Sequence, residues 1–223
     1  RPGPLVADLD LGTYFRGTPS GGLLVGGAEP ECDPLEWLED PDSYDQTGAG
    51  YLFQFSAGSK LAIRNAVPDN ESKSAIQMRA KGLSVDLPLP GSPDDPTCLG
   101  GGTSSITVSS SVSGAFFGQD LPCANWVQTF SGYRYRDPAR AAGPCKDVYF
   151  RPTGVTSVAC TGRGPGVLNF DLEPGLAQAP VVVRLTLGTK AFCTAFGGTL
   201  TSDGTDGRKF VAVNSGAPTE CSP

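Results

Sequence analysis

Residues 59–81 read SKLAIRNAVPDNESKSAIQMRAK, and this stretch decides the fold class. Apolar and polar residues alternate over 59–65 and again over 74–81, with the polar run Pro-Asp-Asn-Glu-Ser between them. A period of two predicts an antiparallel hairpin with Leu61, Ile63, Ile76 and Met78 on its core face. The same texture runs on to the C-terminus. Strand-like runs occur at 104–111, 115–120, 147–151, 155–161, 167–172, 181–187, 191–197 and 208–213. Turn chemistry separates most of them: Pro-Thr-Gly at 152–154, Gly-Arg-Gly-Pro-Gly at 162–166 and Asp-Gly-Thr-Asp-Gly at 203–207. Many short strands at near-regular spacing predict an all-β domain, an antiparallel β-sandwich or flattened barrel. Residues 86–97, DLPLPGSPDDPT, are too proline-laden for an element and predict an irregular connection.

The composition agrees. The chain has 30 glycines and 20 prolines but a single methionine, a mixture that suits short strands and turns. It contains no histidine, which excludes a Ser-His-Asp triad, a Cys-His pair and imidazole metal ligation. Neither a Gly-x-Ser-x-Gly elbow nor a P-loop is present. The net charge of −6, with no basic stripe interleaved with aromatics along the sequence, argues against nucleic acid as a partner. No apolar run approaches the roughly 18–20 residues needed to span a bilayer. Arg1-Pro2-Gly3-Pro4 does not read as a signal peptide, and the absence of an initial Met leaves room for an upstream region.

Six of the seven cysteines, Cys98, Cys123, Cys145, Cys160, Cys193 and Cys221, lie in the β-rich region. No Cys-x-x-Cys pair of the kind structural zinc sites use occurs. The wide spacings suit strands bridged to strands, and such bridges imply an oxidising compartment. Cys145 and Cys160 flank one predicted hairpin, and Cys98 and Cys123 bracket the strand pair at 104–120. Sequential pairing, with Cys193 joined to Cys221, is therefore favoured among the fifteen possible connectivities.

Residues 1–46 differ in character. They hold ten acidic residues against two arginines, whereas residues 47–223 hold thirteen against fifteen basic ones. The shift predicts an acidic N-terminal piece at 1–46, a linker at 47–58 and the β domain at 59–223. Within the front piece, apolar runs at 6–15 and 23–27 flank Pro19-Ser20-Gly21-Gly22 and predict a hairpin, and one short helical turn is expected around Trp37. The positions Asp8 or Asp10, Gly12, Tyr14, Arg16, Gly26, Gly27 and Glu29 resemble the late substrate-domain hairpin of FAD-dependent amino-acid oxidoreductases, the family of sarcosine oxidase and dimethylglycine dehydrogenase. This resemblance spans residues 4–45 and implies a fragment of such an enzyme. The Gly-x-Gly-x-x-Gly turn that seats a flavin pyrophosphate is absent from the chain, so no FAD site is expected.

The phrases SKLAIRNAVPDNESKSAIQMRAKG, GSPDDPT, DLPCANW, Gly132-Tyr-x-Tyr-x-Asp137, GPCK and the closing Cys-Ser-Pro resemble a β-rich, cysteine-containing C-terminal domain of uncharacterised predicted secreted bacterial proteins. The resemblance covers 59–223. It implies an extracytoplasmic, non-catalytic module and supplies no site residues.

Three candidate sites remain. Trp126, Tyr133 and Tyr135, with Phe130 and the cations Arg134, Arg136 and Arg140 nearby, could form an aromatic platform on which sugar rings stack, or fill the core between sheets. Asp203 and Asp206, and more weakly Asp94 and Asp95, could offer oxygens to calcium, although the EF-hand spacing is missing. Paired carboxylates of a glycosidase type stay formally open, but the acids of this region sit in turns. Asn70-Glu71-Ser72 matches the N-glycosylation sequon. The expectation is a non-catalytic extracytoplasmic structural or binding module, with glycans or surface proteins as partners. The alternatives are a carbohydrate-binding module and a fragment of an FAD-dependent oxidoreductase.

Overall fold

The computed structural model describes residues 52–65, 70–81, 86–152, 156–163, 167–219 and 221, together with the backbone of three strands in the front piece. The chain forms two compact units, Arg1–Tyr51 and Leu52–Pro223. In the first, β1 (Leu5–Asp8), β2 (Thr13–Gly17) and β3 (Leu23–Gly27) make an antiparallel sheet in chain order. The single strand expected over 6–15 is thus two strands, paired Leu5 to Arg16 and Asp8 to Thr13. The sequence between them carries Asp10 and Gly12, residue types depleted in strands. The turn at 19–22, the helical turn around Trp37 and Cys32 lie outside the described residues.

The second unit is all-β. Its strands are β4 (Leu52–Phe55), β5 (Ala57–Asn65), β6 (Ser74–Lys81), β7 (Ser104–Ser110), β8 (Phe116–Asp120), β9 (Trp126–Thr129), β10 (Gly132–Arg136), β11 (Cys145–Phe150), β12 (Thr156–Thr161), β13 (Val181–Leu187), β14 (Lys190–Phe196), β15 (Thr199–Asp203) and β16 (Lys209–Ser215). No α-helix occurs among the described residues. An eight-stranded sheet runs in the order β15-β16-β5-β6-β12-β11-β10-β9, and a five-stranded sheet runs β4-β14-β13-β7-β8. Both sheets are open, so the architecture is a sandwich rather than a closed barrel. Every pairing is antiparallel except that of β4 with β14. The long connections β6–β7 and β12–β13 carry the chain from one sheet to the other, as does the shorter one between β8 and β9.

Two crossings are abrupt. Between β4 and β5 the chain changes sheets at Ser56, whose hydroxyl shares a 2.6 Å hydrogen bond with Thr194 and whose N–H donates to the Cys193 carbonyl. Between β14 and β15 it changes at Gly197-Gly198, where the Gly198 N–H donates to Ser215 Oγ at 3.0 Å. A bend that takes backbone out of a ladder strands polar groups, and these bonds restore their partners. The expected linker at 47–58 therefore ends early. Leu52–Phe55 forms β4 and Ala57 and Gly58 open β5, because the aromatic-rich Leu-Phe-Gln-Phe suits a strand.

The core lies between the sheets. Leu61, Ile63, Ile76 and Met78 are buried, as the alternation requires, and join a cluster with Ile106, Val108, Val183, Leu185 and Phe192 of the smaller sheet. The run at 167–172 is not a strand. Leu168, Phe170 and Leu172 are buried alternately, yet the segment joins no ladder. The buried amide of Asn65 bonds to the main chain of this segment instead, which satisfies extended backbone without a partner strand.

Candidate functional site

Trp126, Tyr133 and Tyr135 do not form a surface platform. They are 4%, 1% and 0% exposed. In β10 the two tyrosines stand two residues apart, and Tyr135 faces Trp126 across the β9–β10 pair, so all three point to the inner face. Trp126 Nε1 donates to Ser104 Oγ at 2.9 Å on the opposite sheet, and its ring meets Tyr135 edge-on at 5.6 Å. Tyr133 donates to the Pro88 carbonyl at 3.0 Å, which ties the proline-rich connection to the core. Rings covered in this way cannot stack on a sugar, which corrects the platform expectation. Of that aromatic group, Phe130 alone is at the surface, at the tip of the β9–β10 hairpin.

Burial also leaves a mark on Tyr133. Loss of solvent, with the nearby Asp95 carboxylate, pushes its hydroxyl up to about 12 from an ordinary 10. Below pH 10 the phenol is neutral in both states and its contribution to stability is complete. Between pH 10 and 12 the unfolded chain releases the proton while the folded chain holds it, so stability falls. Urea midpoints measured from pH 9 to 12 should decline, and Tyr133→Phe should make the decline shallower.

The calcium candidates serve their own turns. Asp203 Oδ1 accepts from the Thr205 N–H and hydroxyl, at 3.1 and 2.7 Å. Asp206 Oδ1 accepts from the N–H groups of Arg208 and Lys209, at 2.8 and 2.9 Å. These bonds hold both carboxyls below their usual range. Asp94 binds Thr189, and buried Asp95 accepts from the Gly91 and Thr97 N–H groups. No cluster of three or more metal-ligating side chains occurs among the described residues. At the sequon, Asn70, Glu71 and Ser72 are exposed, and Ser72 Oγ donates to Asn70 Oδ1.

The six cysteines form the bridges Cys98–Cys123, Cys145–Cys160 and Cys193–Cys221. Cys145 and Cys160 are directly opposite in the β11–β12 ladder. Cys193 points to the outer face of the smaller sheet, and its bridge brings the C-terminal tail over that face. By chain entropy each bridge stabilises by roughly 2–4 kcal/mol.

With these groups committed to the framework, the outer face of the larger sheet is the most distinctive surface. Alternation turns Lys60 and Arg64 outward from β5, and Arg79 and Lys81 from β6. β10 adds Arg134 and Arg136, and β16 adds Lys209. Register aligns them in rows across the strands. One row runs Arg134, Tyr149, Ser157, Arg79, Lys60. The next runs Arg136, Asp147, Ala159, Gln77, Ala62. The small side chains of that second row, with Ser157, floor a shallow depression of about 460 Å³ rimmed by Lys60, Arg79 and Asp147.

Asp147 is the only carboxylate at the outward strand positions described on this face. It pairs with Arg134, Nε to Oδ1 at 2.8 Å, and that hydrogen bond raises the guanidinium above its usual value. Tyr149 is half-buried, with the Arg151 guanidinium 4.2 Å from its ring centroid and that of Arg134 at 5.7 Å. A hydrogen bond with Ser131, followed by one with Thr129, lowers its hydroxyl below an ordinary phenol. Sequence reading missed this face because its cations are spread from residue 60 to 209. Strand alternation marks each one as outward, but only the pairing register gathers them.

No family model matches this chain, and searches of curated proteins and of solved structures likewise found no match.

Proposed function

We propose that the chain is a non-catalytic binding module that works outside the cytoplasm, on a cell surface or in a secreted assembly. The observation that carries this reading is the pairing of six cysteines into three bridges within one sandwich. Such bridges persist in oxidising compartments and are rare where thiols are kept reduced. The use of the side chains supports the non-catalytic half of the reading. Trp126, Tyr133 and Tyr135 fill the core, and Asp95, Asp203 and Asp206 hold turns. Among the described residues no helix is long and apolar enough to cross a membrane.

Alkylation of the unreduced, denatured protein followed by intact mass tests the reading. One labelled thiol, that of Cys32, with six masked is the expected result. Seven labelled thiols would overturn it and return the fragment of an intracellular oxidoreductase to consideration.

A further inference from the structure

The larger sheet's outer face is basic on a chain of net charge −6, so its field is local rather than a property of the whole protein. Arg79 and Lys60 are exposed, lie opposite each other on paired strands, and have no ion-pair partner among the described residues. Strands repeat every ~4.8 Å, so the row from Arg134 on β10 to Lys60 on β5 extends roughly 19 Å. That is the length of a short oligosaccharide. We infer that this face binds an acidic polysaccharide of the uronate class. Its carboxylates meet Arg79, Lys60 and Arg134, and its rings lie over the small-residue floor.

The chemistry of the row favours this ligand over other polyanions. Along the row Tyr149 and Ser157 separate Arg134 from the adjacent pair Arg79 and Lys60, so three cations fall over roughly 19 Å, a density that suits one carboxylate per sugar rather than a phosphate backbone. Guanidinium groups fork onto carboxylates in two parallel hydrogen bonds. Ser157 and Gln77 supply the neutral partners that sugar hydroxyls need, and Asp147, held by Arg134, adds an acceptor beside them. Tyr149 is a single ring with the Arg151 guanidinium over it, whereas single-stranded nucleic acid is held by successive aromatic platforms. The depression is floored by Ala62, Ala159 and Gln77, and the Met78 and Val158 that also line it are buried, so it presents no large apolar group to insert into a lipid surface.

The inference rests on the reading of the chain as an extracytoplasmic binding module, and its test separates the two. The full chain is titrated calorimetrically with an oligogalacturonate of about eight residues, at low and at physiological salt. Neutral maltooligosaccharide, phosphatidylserine vesicles and duplex DNA serve as comparison ligands. Binding to the uronate that weakens with salt, with none to the neutral sugar, is expected. The double variant Lys60→Glu/Arg79→Glu should weaken it by roughly tenfold or more, while Lys190→Glu on the other sheet leaves it unchanged. Arg79→Gln, which removes one charge from an exposed position, provides the same comparison should the double variant fail to fold. No uronate binding, an undiminished affinity in the variants, or tighter binding to DNA or vesicles would each overturn the inference. A failure here with six thiols masked leaves the extracytoplasmic reading standing, whereas seven labelled thiols refute that reading directly.

Discussion

Trp126→Ala is expected to lower the folding free energy by about 3–5 kcal/mol. The indole is 4% exposed and fills the inner face of β9, a strand at the edge of the larger sheet. Its N–H reaches Ser104 Oγ at 2.9 Å and the Leu121 carbonyl at 3.3 Å, both on the side of the smaller sheet. Removing the ring leaves a cavity beside Tyr135 and deletes a direct hydrogen bond between the sheets. The Ser104 to Leu121 bond at 2.6 Å survives, so no buried hydroxyl is orphaned and the loss is chiefly one of packing. Trp126→Phe should cost less than Trp126→Ala because it retains most of the apolar volume. Urea unfolding followed by far-UV circular dichroism measures both. A loss below about 1 kcal/mol for Trp126→Ala would mean that the ring does not anchor the sheets.

Gly132→Ala is expected to cost about 3 kcal/mol or more. Gly132 closes the β9–β10 turn with φ of 135°, a backbone region that side-chain-bearing residues rarely enter. A Cβ added there would collide with the Phe150 carbonyl oxygen, so β11 would have to move. Tyr149 and Arg151 flank Phe150, and the disturbance should reach the cationic face as well as the core. Gly101→Ala provides the comparison. Its φ is 67°, but nothing lies within 4 Å of the added carbon, so it should carry only the conformational cost of about 1 kcal/mol. Equal losses for the two variants would locate the effect in φ alone and remove the close approach to β11 from the explanation.

What could be read in advance depended on whether the signal was local. The hairpin at 59–81 announced itself because a period of two repeats on both sides of one polar turn. The Cys145–Cys160 bridge was legible because both cysteines close one hairpin. The same alternation places Tyr133 and Tyr135 on one face, yet their proximity to arginines in sequence suggested a platform. In β10 the arginines occupy the intervening positions and face the other way. The run at 167–172 carries strand periodicity but no partner, and periodicity reports which side chains are covered rather than which backbone is paired. The cationic face was least legible, since Lys60, Arg79 and Arg134 become neighbours only through the order β5-β6-β12-β11-β10. Summed charge concealed it further, because the acidic residues concentrate in 1–46.

Peptide mapping of the non-reduced protein tests the central claim, a sandwich stapled by local bridges in an oxidising setting, most directly. The account predicts three linked peptide pairs, Cys98 with Cys123, Cys145 with Cys160 and Cys193 with Cys221, and a free thiol at Cys32. A bridge that crosses these pairs, such as Cys98 with Cys160, would contradict the strand order on which the cationic face depends. Six free thiols in place of the bridges would contradict the proposed extracytoplasmic role.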